Sequence, residues 1–529
     1  MSSAPENLPV GSIVAFAADQ LTGTFASEWR FCHGDEMSKT AFPDLFQAIG
    51  IYNGGSASSE TFYLPDLQGY FLRGVDETGK VDVGTNTRTT PTNQPAASLP
   101  GSVEGFATAL PVTQLSALIP DISTDYHYTN PGDIGPLAYS MCAWNAGTST
   151  FSVNTSSRPE TVPVNMYMHY MIKVLPTSRI PVGSVIPFAG QASKGPSLFD
   201  GLWAKCEGIE ADENASIFAK LYAVIGDRYG TSTDGSAFLL PDLQGRFIRG
   251  VDVHAGRDKN GNRLPPPGFP GNTDPLAGST QVFANGPSAN PWTCDIAHFF
   301  NGNHSHEVFE IAGHTNCRDT DWQNYVGWQG GDKETRPVNV SVQYFISMAE
   351  TSTKSSSVDT IPVGAVIAIP GAGKPDTNFW VLCNGAEVST TGAYAQLYEI
   401  CGAIWGQPPG NTDVFNLPDM RGQFLRGVDN TKAGSTLIDP DRDNRTALMP
   451  GGATKGTGSK EGWATSATNV NMDISYPTRH WDNAAGATAN QTAAWNPDTQ
   501  AFPVKGGDAE TRPINLAVYF YIKYATAQS

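Results

Sequence analysis

The feature that most constrains this chain is a thirteen-residue phrase that occurs three times. It reads Leu64-Pro65-Asp66-Leu67-Gln68-Gly69-Tyr70-Phe71-Leu72-Arg73-Gly74-Val75-Asp76. It returns as Leu240-Pro241-Asp242-Leu243-Gln244-Gly245-Arg246-Phe247-Ile248-Arg249-Gly250-Val251-Asp252, and again as Leu417-Pro418-Asp419-Met420-Arg421-Gly422-Gln423-Phe424-Leu425-Arg426-Gly427-Val428-Asp429. The copies lie about 176 residues apart, so the repeating unit is a whole domain and not a solenoid turn. At 529 residues the chain is too long for one ordinary core, and typical domain size suggests about three. The expectation is one module used three times: 1–178, 179–350 and 361–529, with a linker at 351–360.

Other marks recur around the phrase. Each copy opens on a β-branched run bounded by Pro and Gly: Leu8 to Val14, Ile180 to Ile186 and Ile361 to Ile367. A Trp-x-x-Cys strand comes next, with Cys32, Cys206 and Cys383 at the same place. A Cys that recurs once per module beside a Trp reads as a small buried apolar group, so the seven cysteines do not suggest a disulfide framework. Helical spacing of Phe42, Leu45, Phe46 and Ile49, with counterparts in the other copies, predicts one short helix per module. Thr40 and Asn214 are its candidate N-caps, and Gly50, Gly226 and Gly402 stand where a C′ residue is wanted. The phrase reads as a strand ending at Pro, a Pro-Asp turn, a Gly bend and a Phe-x-Arg-Gly strand. For Asp66 with Arg73, Asp242 with Arg249 and Asp419 with Arg426, the expectation is a structural ion pair pinning two loops. Each copy closes on Arg-Pro and an alternating, half-buried strand, from Arg158-Pro159, Arg336-Pro337 and Arg512-Pro513; on that count Thr161 replaces the Asn of Asn339 and Asn515.

Charged residues are only 16% of the chain while Gly (55) and Pro (38) abound, which favours a loop-rich, mainly β protein with short helices. The net charge is −18 and there is no basic run, which argues against nucleic-acid or anionic-membrane binding. No apolar stretch is long enough to span a bilayer, and the first residues lack the basic and apolar regions of a signal peptide. The expectation is therefore a protein made in the cytoplasm that leaves, if it leaves, by lysis or as cargo of a particle.

The order Pro-Val-Gly-Ser, Trp-x-x-Cys-x-Gly, helix, Leu-Pro-Asp to Arg-Gly, and Arg-Pro with its final strand resembles the phage tail collar domain, also found in the microcystin-dependent-protein family. The resemblance implies a non-enzymatic virion or phage-like particle component: a tail fibre or collar protein of a phage tail or contractile injection particle, touching other tail, baseplate and fibre proteins. Such domains are usually trimeric. Three copies in one chain suggest a pseudo-threefold head from a single polypeptide; a homotrimer of strung-out modules is the alternative.

Between the phrase and the closing strand the copies diverge into Gly-, Thr- and Asn-rich segments carrying Tyr126, Tyr128, Trp144, Trp322, Trp328, Trp463, Trp481 and Trp495. Long loops on a repeated scaffold are where a surface glycan or protein receptor would be bound. His304 and His306, alternate residues that would share one face of a strand, are a candidate transition-metal pair, and the resemblance implies iron or zinc as the metal. Counting back from the Arg-Pro marks adds His127 and His480 to that set. The stretches at Asp258 and Asp439 alternate oxygen ligands but lack the Gly and Glu of a calcium loop, so they read as turns. No nucleophile elbow, phosphate loop, HExxH or CxxC is present. A purely architectural adaptor and a polysaccharide-degrading tail enzyme are the other function classes.

Overall fold

The computed structural model describes residues 8–20, 25–76, 80–82, 88–89, 99–111, 114–120, 147–153, 161, 163–176, 180–189, 202–255, 257–258, 263–270, 276–285, 292–298, 321–323, 327–329, 335, 337, 339–348, 361–370, 379–429, 438–466, 476–478, 499–505, 511, 513 and 515–525. Within them the chain is mainly β, and the opening, Trp, motif and closing segments each become the same element three times. The opening strands are Ile13–Phe16, Ser184–Phe188 and Val366–Ile369. The Trp strands are Trp29–Phe31, Trp203–Lys205 and Trp380–Leu382. The phrase supplies motif strands Phe71–Gly74, Phe247–Gly250 and Phe424–Gly427. Closing strands run Asn165–Lys173, Asn339–Ser347 and Asn515–Lys523.

The closing strand is shared. In Asn165–Lys173 the second half pairs with its own repeat, antiparallel to the opening strand (Ile13↔Ile172 to Phe16↔His169) and to the Trp strand (Trp29↔Lys173). Its first half pairs parallel with the motif strand of the second repeat, Phe247↔Asn165 through Gly250↔Met168. The closing strand of the second repeat does the same to the third (Asn339↔Phe424), and that of the third returns to the first (Asn515↔Phe71). The ring is therefore closed within one chain. Clasped by two repeats, Asn165–Lys173 is buried at all nine positions, where alternation predicted one wet face.

At the pseudo-threefold axis each motif strand meets the other two, through Phe247↔Arg426, Arg249↔Phe71 and Phe424↔Arg73. Phe71, Phe247 and Phe424 form a buried cluster there, each burial contributing about 1.5–3 kcal/mol. The opening strands make a second three-way contact, through Ala15↔Val185, Ile13↔Ala368 and the Phe188↔Ala365 bridge. Between the two junctions lies an apolar cavity of about 50 Å³, lined by the three Phe, Ile13, Tyr170 and Tyr344 among others.

The helices are Pro43–Ile49, Ala219–Ile225 and Ala395–Cys401, and each buries its inner face through Leu45, Leu221 or Leu397. None has a side-chain N-cap; Phe42, Phe218 and Tyr394 hold that position, so Thr40 and Asn214 are not caps. Packing of the apolar face replaces the cap. Gly50, Gly226 and Gly402 close the helices at φ of 55°, 53° and 55°, a region that disfavours side chains. A further four-residue helix, Phe25–Glu28, was not legible from spacing. Cys32, Cys206 and Cys383 are buried and free, and burial raises their thiol pKa well above the ordinary value. No helix among the described residues is long and apolar enough to cross a membrane.

Candidate functional site

The repeated phrase forms the seams of the ring. Each motif Arg is fully buried and points across to the preceding copy of the phrase: Arg73 Nε donates to the Gly422 carbonyl (2.9 Å), Arg249 to Gly69 (2.8 Å) and Arg426 to Gly245 (2.8 Å). Each guanidinium also lies over the neighbour's motif Phe: Arg73 over Phe424, Arg249 over Phe71, Arg426 over Phe247, at 5.2–5.3 Å. The glycine after the Arg is fixed by a close approach. A Cβ at Gly74, Gly250 or Gly427 would stand 1.8, 1.9 or 1.8 Å from the carbonyl oxygen of Met420, Leu67 or Leu243. The phrase is thus the imprint of one interface, written once on each side.

The expected Asp–Arg pairing within the phrase is not what forms. Arg73 pairs with Asp82 (3.1 Å) and Glu104 (3.4 Å), both of which also hold Arg88 (2.9 and 3.0 Å). Arg426 and Arg445 share Asp439 and Glu461 in the same way. In the second repeat Arg249 and Arg263 share Asp258, with Gln281 in the place of the Glu. Burial lowers the pKa of Arg88 and Arg445, and that of Arg263 to about 10, against the pull of their carboxylates. The separation has a simple cause: the motif strand aims its Arg inward across the seam, while the Asp stays in its own turn. Asp66, Asp242 and Asp419 accept the backbone N–H of Gln68, Gln244 and Arg421, two residues on. Asp66 further pairs with Arg257 of the second repeat (2.7 Å), and Asp419 with its neighbour Arg421 (2.7 Å). Burial pushes the Asp66 carboxyl up, but Arg257 and Gln68 outweigh it and hold the group below the usual range. Asp258 and Asp439, whose spacing invited comparison with calcium loops, each face two guanidiniums instead.

The last Asp of the phrase folds the turn beyond it. One oxygen of Asp76 takes the N–H groups of Val81 and Asp82, and Asp429 takes those of Ile438 and Asp439. That turn delivers the carboxylate met by the motif Arg. Nothing in the spacing revealed it, because the Asp lies six residues on in one repeat and ten in another.

The divergent segments of the three repeats are woven together. A five-stranded sheet runs Gly327–Gln329, Ser116–Pro120, Thr499–Lys505, Trp292–His298, Gly147–Val153, so strands of all three repeats alternate within it. Buried hydroxyls also link the repeats. Thr108 bonds Thr161, Thr465 bonds Thr511, Thr335 donates to Asn285, and the Ala109 and Ser466 amides donate to Thr511 and Thr335. These contacts correct the alignment of the first repeat. Thr161 matches Thr335 and Thr511, and the Asn that recurs in every repeat is Asn165, whose Nδ2 donates to the carbonyl two residues back as in Asn339 and Asn515. Arg158-Pro159 is a chance pair displaced from the true register, so the count that brought His127 and His480 beside His304 and His306 loses its anchor.

Those four His lie outside the described residues, as do Tyr126, Tyr128, Trp144, Trp481 and Trp495. Trp322 and Trp328 fall in the short strands Asp321–Gln323 and Gly327–Gln329, and Trp463 is half-buried. Among the described residues no group of three or more His, Cys, Asp or Glu is placed to hold a metal.

Three interlocked β modules clasped about one axis by a repeated Arg-Gly seam define a single-chain pseudo-trimer. The model of the phage tail collar domain matches the chain at residues 11–72, 183–248 and 364–425, so it carries three tandem tail collar domains. The chain is similar to protein RhiB of Rhizobium leguminosarum bv. viciae, 30% identical over 157 residues, which is 28% of this chain and 64% of that protein. It is also similar to the short tail fiber protein gp12 of Enterobacteria phage T4, 42% identical over 67 residues, 13% of this chain and 12% of that protein. The chain therefore spans less than two thirds of either relative.

Proposed function

We propose that this protein is a non-enzymatic structural component of a phage-type tail, a tail-fibre-like head whose divergent loops bind a cell-surface glycan or protein. The observation that carries the reading is the ring: three collar domains closed on one axis, with strands from the divergent segments of all three repeats sharing a five-stranded sheet. The likeness to a tail fibre segment supports placement in a virion or phage-like particle, beside other tail proteins. A rigid ring that costs little further entropy to order is a suitable base for loops that must hold a binding geometry. Because the ring closes within one chain, the working unit is a monomer of 56.4 kDa.

Host adsorption by particles carrying Trp144→Ala or Trp495→Ala is the test. Adsorption lost with assembly intact supports receptor binding. Particles that fail to assemble indicate an architectural adaptor, and release of reducing sugar from host polysaccharide indicates an enzyme.

A further inference from the structure

The three seams share a backbone and differ in chemistry at one place. Where the Trp strand and the closing strand face the next repeat, the first seam presents Phe31, His33 and His169. The second presents Lys205, Glu207 and Gln343 at the same positions, and the third Leu382, Asn384 and Tyr519. Near-neutral titrating groups thus meet at one seam of the three.

Their setting is built. His169 is buried, and its Nε2 lies 3.0 Å from Asp19 Oδ1, while its Nδ1 has no partner. Asp19 is the link across the seam: its other oxygen pairs with Arg228 of the second repeat (2.6 Å), and it accepts the Ala277 amide (2.9 Å). His33 stacks on Phe31 at 5.4 Å and stands 5.8 Å from the His169 ring. Asp35 and Asp66 act on His33 from its own repeat and His254 from the second; Asp66 is already engaged by Arg257. Cys32 beside it is buried and protonated.

We propose that the joint between the first and second repeats is a pH-sensitive seam, which loosens when His33 takes up a proton while the other two seams stay closed. Protonation of His33 sets a cation 5.8 Å from the His169 ring, in a partly desolvated site that already holds Arg228 and Arg257. His33 sets the sign. Burial, and then His169 and His254, hold its pKa below the ordinary value despite Asp35 and Asp66. Its contribution is therefore whole above about pH 6.5 and is lost as pH falls through the lowered value.

Amide hydrogen exchange on the full chain at pH 7.5 and 5.5, corrected for the intrinsic pH dependence of exchange, tests this. The Ala277 and His254 amides, bonded across the first seam to Asp19 and Gln68, should open severalfold more at the lower pH. The Gly245 and Gly422 amides, bonded across the other two seams, should not change. His33→Asn with His169→Gln installs the residues of the sister seams and should flatten the response. His33→Asn alone, which keeps the Asp19–His169 bond, should flatten it as well. Equal loosening of all three seams, no response, or a response unaltered in both variants overturns the proposal.

Discussion

Replacing the motif arginines one at a time should give unequal losses, in an order set by counting charge. In the first repeat two buried guanidiniums, Arg73 and Arg88, face two carboxylates, Asp82 and Glu104; in the third, Arg426 and Arg445 face Asp439 and Glu461. In the second network Arg249 and Arg263 share Asp258, and the neutral Gln281 stands in the place of the Glu. Arg73→Met or Arg426→Met therefore strands a buried carboxylate, and breaking a buried pair in this way costs about 3–5 kcal/mol. Arg249→Met leaves Asp258 and Arg263 matched, so its loss is chiefly the hydrogen bond to Gly69 and the contact with Phe71, about 1–3 kcal/mol. Urea midpoints of the three variants, compared at constant m, read the difference directly. The same side chain is removed to the same isostere in three copies of one fold, so volume and strand propensity cancel. If Arg249→Met costs as much as the other two, charge balance does not govern the seams.

Other consequences are as direct. Gly250→Ala drives a Cβ to 1.9 Å from the Leu67 carbonyl, so the seam should fail to close and the variant should lose near-ultraviolet dichroism or come out insoluble; a native spectrum and stability would show that the backbone has room to yield. Asp66 has a depressed pKa, so its contribution is present above about pH 4 and lost as pH falls further. Asp66→Asn should flatten the fall of stability with acid below that point, and an unchanged pH profile would discount the Arg257 pair. Mass measurement should find a monomer; a stable trimer would mean that repeats exchange between chains. Elemental analysis of tag-free protein is expected to find sub-stoichiometric iron and zinc, and a full equivalent would point to His304 and His306.

Repetition itself made most of the module legible. β-branched runs bounded by Pro and Gly became the opening strands, helical spacing became the one helix per repeat, and the Trp-x-x-Cys marks became short strands that bury their Trp, because each of these arises from local sterics and burial. A motif whose residues act locally could be read: Pro-Asp makes its turn wherever it stands. What the sequence could not disclose was that Phe, Arg and Gly of the same phrase act on a different copy. Arg73 finds Gly422 and Phe424 about 350 residues away, and no spacing within a repeat encodes a partner outside it. The first repeat was misaligned at Arg158 because two matching letters outweigh a register that only strand pairing fixes. The sequence by itself determined that there are three like modules of short strands. The tertiary structure alone decided that they interlock as a ring, since a closing strand with two unsatisfied edges can be completed only by a neighbour brought round to meet it.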